Sequence, residues 1–75
     1  MKRYKNLSRK SGVVAYEVGQ RTIVVEFEDG GIYLYNYESA GQDKIERMKQ
    51  LAEAGRGLST FIVRHVRDAY AAKLR

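Results

Sequence analysis

The chain has no cysteine, no proline and a single histidine. Without thiols there is no disulfide framework, no thiolate metal site and no thiol redox chemistry, so hydrophobic packing must hold the fold. One histidine, His65, leaves no multi-histidine metal site and no Ser/His pair with a spare orienting group. No apolar run is long enough to span a bilayer, and the opening Met-Lys-Arg-Tyr-Lys is followed by Asn-Leu-Ser-Arg-Lys rather than by a signal-peptide core. A cytoplasmic setting with no membrane partner is therefore expected. No repeat or low-complexity stretch divides the 75 residues. A chain this short buries only ~60 to 65% of its unfolded surface, so one domain with one thin core is the limit.

What is present is charge, unevenly placed. The net charge is +5. Residues 1–10 hold Lys2, Arg3, Lys5, Arg9 and Lys10 and no acid; residues 11–55 are acidic overall; the last stretch has Arg56, Arg64, Arg67, Lys73 and Arg75 against Asp68 alone. Basic ends around an acidic middle suit a polyanion if the ends lie together, and would otherwise serve solubility. Residues 1–10 are expected to form a basic N-terminal arm, and residues 11–75 the domain.

Val13 to Val18 reads as a short strand closed by Gly19-Gln20-Arg21. Thr22 to Glu28 alternates with the period of two of a half-buried strand. Asp29-Gly30 is the strongest hairpin signal in the chain, and as a two-residue type I′ turn it sets Glu28 opposite Gly31. Counting outward pairs Phe27 with Ile32, Glu26 with Tyr33, Val25 with Leu34 and Val24 with Tyr35. That register predicts an apolar core face of Ile23, Val25, Phe27, Ile32 and Leu34. On the opposite, open face it sets Tyr33, Tyr35 and Tyr37 in a row with Val24, Glu26 and Glu28.

Ser39 and Gln42 have capping-box spacing ahead of a helix whose stripe is Ile45, Met48, Leu51 and Ala52, closed by Gly55. Ser59 or Thr60 can cap a second helix that buries Phe61, Ile62, Val66 and Ala69 and turns Arg64, Arg67 and Arg75 outward. The expected fold is α+β: a three-stranded antiparallel meander followed by two helices on its aliphatic face, in the order βββαα.

Val25-Glu26-Phe27, the Gly-containing turn, the central Tyr33-Leu34-Tyr35 and the later Val66-Arg67-Asp68-Ala69-Tyr70 together resemble the KTSC domain. That module, of about this length, is named after the C-terminus of some lysyl-tRNA synthetases and also occurs as a stand-alone bacterial protein. Its hallmarks are a central Tyr-x-Tyr and a later hydrophobic-Arg-x-x-Tyr pattern. The resemblance implies RNA binding, by way of the synthetase context, and carries no catalytic residue.

A row of phenols on an open sheet face can stack unpaired bases at ~1 to 3 kcal/mol each. The same rings would equally serve cross-strand packing, or a docking face for a protein partner or second copy. Arg64 and Arg67 have the fork that suits phosphate, although Arg64 could instead pair with Asp68. The Gly55-Arg56-Gly57 turn lets backbone N–H groups approach an anion, but no Gly-Lys-Ser/Thr follows, so it is no nucleotide-hydrolysing loop. Glu26 and Glu28, ~7 Å apart on a strand, have no pocket to desolvate them for acid/base work.

The expectation is a nucleic-acid-binding accessory module, RNA before DNA, without cofactor, metal or catalytic activity. In it Tyr33, Tyr35 and Tyr37 stack bases while Lys2, Arg3, Lys5, Arg56, Arg64 and Arg67 hold the backbone. The alternative is a protein-interaction or homodimerisation module that uses the tyrosine face.

Overall fold

A computed structural model describes all residues, Met1–Arg75. Five strands, β1 (Lys2–Arg3), β2 (Val13–Val18), β3 (Thr22–Phe27), β4 (Ile32–Asn36) and β5 (Ala72–Lys73), form one antiparallel sheet in sequence order. Between β4 and β5 lie α1 (Tyr37–Ala40), α2 (Gln42–Ala54) and α3 (Leu58–Phe61), the last continuing as a π-helical turn over Ile62–Val66. The α+β class and the antiparallel sheet agree with expectation. The sheet has two more strands than predicted, one at each edge.

The central hairpin carries the main correction. Phe27 N donates to Gly31 O at 2.8 Å and Gly30 N to Phe27 O at 2.9 Å, so the loop is the three residues Glu28-Asp29-Gly30 rather than Asp29-Gly30 alone. Gly30 has φ +93 and Asp29 is not left-handed, whereas a type I′ turn needs positive φ at both central residues. Asp29 Oδ1 accepts from Gly31 N at 2.8 Å and steadies this wider turn. The added loop residue moves the register by one, pairing Val25 with Tyr33, Val24 with Leu34 and Ile23 with Tyr35. A one-residue slip exchanges the faces of β4. Tyr33 and Tyr35 therefore join Ile23 and Val25 on the core side, while Ile32 and Leu34 fall on the other face beside Glu26 and Val24.

A bulge at Val14 lets Val13 and Tyr16, three positions apart, both face the core. The buried cluster joins these to Tyr4, Ile23, Val25 and Tyr35 from the sheet side and to Ile45, Met48, Ala52, Leu58, Ile62 and Val66 from the helices. All four residues of the predicted α2 stripe lie in or against this core, and Gly55 closes α2 in the left-handed conformation at φ +79. The capping box forms one turn earlier than predicted. Asn36 Oδ1 accepts from Ser39 N at 2.7 Å, and Ser39 Oγ accepts from Asn36 N at 3.1 Å, which starts α1.

The last helix is shorter than its alanine-rich sequence predicts. It ends at Val66, where Arg67 N reaches back five residues to Ile62 O at 2.6 Å and Arg67 takes the rare backbone angles φ 29, ψ −101. The chain then reverses to cover the edge of β4: Ala71 N donates to Leu34 O and Leu74 N to Ile32 O, both at 2.7 Å. Satisfying an exposed sheet edge outweighs the helix propensity of Ala71, Ala72 and Lys73.

The N-terminal ten residues are likewise built into the domain. Lys2–Arg3 pairs with β2, and Tyr4 is 3% exposed with its hydroxyl accepting from Leu58 N at 3.3 Å.

Tyr35, 2% exposed, sits at the centre of this core. Burial, with Tyr33, Tyr70 and Asp68 adding to it, pushes its hydroxyl up from 10.0 to about 12. The fold thus favours the neutral phenol, whose contribution is complete below pH 10 and lost as pH rises from there through about 12. Circular dichroism across that window should show a loss of roughly 2 kcal/mol, discounted for solvent reaching the hydroxyl, that Tyr35→Phe abolishes.

Candidate nucleic-acid interface

The two longest stretches of the sequence free of acid are residues 1–16, with five cations, and residues 54–67, with Arg56, Arg64 and Arg67. They lie far apart in the chain, and the fold packs one on the other. Leu7 N donates to Gly55 O at 2.8 Å, and Leu58 N donates to the Tyr4 hydroxyl. Lys5 lies so close to Gly55 that a Cβ there would meet the Lys5 Cβ at 2.6 Å, which is why a glycine suits this crossing as well as the helix end. Further along, Gly12 shares a cleft with Ile62, Val63 and Arg67. The segment from Lys5 to Gly12 thus runs beside the segment from Gly55 to Arg67.

The loop that does this is self-braced. Ser11 N donates to Asn6 Oδ1 at 3.1 Å, Asn6 Nδ2 to Ser11 O at 3.3 Å and Arg9 N to Asn6 O at 3.0 Å. Lys5, Arg9, Lys10, Arg56, Arg64 and Arg67 are all exposed. The ion pairs of the molecule are Lys49 with Glu46 and Arg75 with Glu26, so none of these six cations is neutralised by a carboxylate. The Arg64–Asp68 pair that the helical spacing permits is not formed. Such unpaired, exposed cations are what a phosphate backbone requires.

Of the predicted backbone-holding residues, the structure brings together Lys5 and Arg56 and sets Arg64 and Arg67 further along the same segment. Lys2 and Arg3 are set apart on the edge strand, where Lys2 lines a groove with Glu17 and Glu53. Arg9 and Lys10 lie on the loop between the Leu7–Gly55 contact and Gly12; the run of five cations in residues 1–10 is their sequence signal.

The predicted row of three phenols is corrected. Tyr35 is sealed in the core and is not free to stack a base or dock a partner. Tyr33 is half-buried on the same side of the sheet. Tyr37 leaves the strand altogether as the first residue of α1, and its hydroxyl donates to Glu46 Oε2 at 2.7 Å. That bond holds the Tyr37 phenol above its ordinary range, while the Lys49 ammonium, 2.8 Å from the same oxygen, and then Tyr37 hold the Glu46 carboxyl below its own. Glu26, expected among the phenols, lies on the other face beneath Arg75 at 3.6 Å.

Tyr33 keeps one accessible role. With Phe27 and Tyr70 it walls a cleft of about 480 Å³ between the hairpin turn and the end of the π-helical turn. The Tyr33 and Tyr70 rings are 4.9 Å apart, and Phe27 stands edge-on to Tyr33 at 5.7 Å. Glu28, Asp29, Arg67 and Asp68 complete the rim. Tyr70 and Phe27 were not foreseen at a site, although Tyr70 belongs to the hydrophobic-Arg-x-x-Tyr pattern. His65 packs against the Phe61 ring at 4.6 Å.

No helix of the structure is long and apolar enough to cross a membrane. No protein-family model, curated protein or solved structure matches the chain.

Proposed function

We propose that this chain is a non-catalytic nucleic-acid-binding module that grips a phosphate backbone along the surface built from Lys5–Gly12 and Gly55–Arg67. The observation that carries the reading is the packing of two acid-free segments into one surface with six exposed cations and no carboxylate partner among them. Charge alone would serve solubility, but cations on two acid-free segments that folding brings into contact can focus a field on a polyanion. RNA stands before DNA because of the resemblance to the KTSC domain.

The reading predicts steep salt dependence. Each phosphate neutralised on a single strand contributes about −0.7 to the slope of log K against log salt, so about five contacts weaken binding ~100-fold between roughly 50 and 200 mM salt. Fluorescence anisotropy with labelled single-stranded RNA, duplex RNA and DNA measures this directly. A flat salt profile, or no binding of any of the three at the lower salt, would contradict the proposal.

A further inference from the structure

Resting on that reading, we infer that the cleft walled by Phe27, Tyr33 and Tyr70 is a pocket for one unpaired nucleobase with a donor edge, guanine above the others. Three observations meet there.

The first is position. Gly12 from the N-terminal segment and Ile62, Val63 and Arg67 from the C-terminal one all line the cleft, so it opens at the end of the basic surface. A strand tracked along Lys5, Arg56 and Arg64 arrives at this opening with its backbone on Arg67.

The second is chemistry. Tyr70 is 36% exposed and tilted by 59° to Tyr33, which leaves ring surface free at the mouth for a base to stack on. A cleft of about 480 Å³ has room for a purine. At the rim, Asp29 is engaged with the turn through Gly31 N, whereas the Glu28 and Asp68 side chains have no ion-pair or hydrogen-bond partner in the structure. Carboxylates repel phosphate but accept from base N–H groups. Guanine offers two adjacent donors, N1–H and the 2-amino group, and can meet one carboxylate with both. Adenine and cytosine offer one amino group, and uracil a single N–H between two carbonyls. The rim would therefore turn the phosphate toward Arg67 and the Watson–Crick edge toward Glu28 or Asp68.

The third is backbone conformation. The π-helical turn ends on Arg67 at φ 29, ψ −101, a conformation a side-chain-bearing residue rarely adopts. Strain of this kind, and π-turns within helices, gather at binding sites. Here they place Arg67, Asp68 and Tyr70 on one rim.

The test is anisotropy with eight-nucleotide RNAs of uridine carrying one central G, A, C or U. The G-containing strand should bind about tenfold more tightly than the other three. Tyr70→Ala, Glu28→Gln and Asp68→Asn all alter exposed residues. Tyr70→Ala should remove the preference, as should at least one of the two carboxylate variants, while the salt slope of the uridine strand stays unchanged. Equal affinity for all four strands with steep salt dependence would overturn the base pocket and leave the phosphate surface standing. A G preference that survives all three variants would place guanine recognition elsewhere and overturn it too. Failure of every strand to bind at low salt would remove both.

Discussion

Tyr35→Ala should destabilise the protein by about 3–5 kcal/mol in urea unfolding, a loss typical of emptying a large aromatic site in a packed core. A domain of this size has a total stability of roughly 4–11 kcal/mol, so the variant would lose a large share of it and unfold at a clearly lower urea concentration. Leu34→Ala, one residue away, should cost only about 1 kcal/mol, because Leu34 is half-buried on the sheet face that no helix covers. The contrast follows from the three-residue loop. A two-residue Asp29-Gly30 turn would reverse it, with Leu34 inside and Tyr35 in water, and a larger loss for Leu34→Ala would contradict the register described here.

The second large effect concerns binding. Lys5→Glu combined with Arg56→Glu should weaken single-stranded RNA at least ~100-fold near 100 mM salt and flatten the salt slope by about 1.4, as expected for two lost phosphate contacts. Both side chains are exposed, and glutamate keeps the Cβ that Lys5 packs on Gly55, so the fold should survive. Lys44→Glu with Arg47→Glu changes the same net charge on the exposed side of α2 and should shift affinity by no more than about threefold, through long-range attraction alone. Equal losses from the two pairs, read by anisotropy, would mean that net charge rather than the built surface does the binding.

Much of the framework is legible in the residues themselves. The β2 and β3 strands, the Ile45, Met48, Leu51 and Ala52 stripe and the Gly55 stop all follow from local pattern, because each is set by neighbours within a few positions, whereas β4, read through Tyr37, ends at Asn36, whose cap starts α1. The tyrosine faces are not local in that sense. Asp29-Gly30 fits a two-residue loop and also the last two residues of a three-residue one, and the choice inverts Tyr33 and Tyr35 without changing any strand boundary. The path after Val66 is hidden for a different reason. Ala69 to Lys73 prefers helix on its own, and only the unpaired edge of β4, formed some forty residues earlier, draws it into a strand. Tyr4 reads as part of a basic arm until α3 supplies Leu58 N for its hydroxyl.

The candidate site divides the same way. Its charges are visible as two runs without acid, but their meeting depends on contacts about fifty residues apart in sequence, at Leu7 with Gly55 and Tyr4 with Leu58. The aromatic cleft is less legible still. Phe27 reads as core, Glu28 as the end of a strand, Asp29 as turn and Tyr70 as helix, and they converge only after the chain turns at Arg67.

The most direct measurement is amide chemical-shift mapping of the ¹⁵N-labelled protein during titration with single-stranded RNA at low salt. Perturbations concentrated in Lys5–Gly12 and Gly55–Arg67, with Val24, Leu34 and the exposed side of α2 unmoved, are the predicted result. Shifts centred instead on the open sheet face around Val24 and Leu34, or spread evenly over every exposed cation, would contradict a binding surface made by the two acid-free segments.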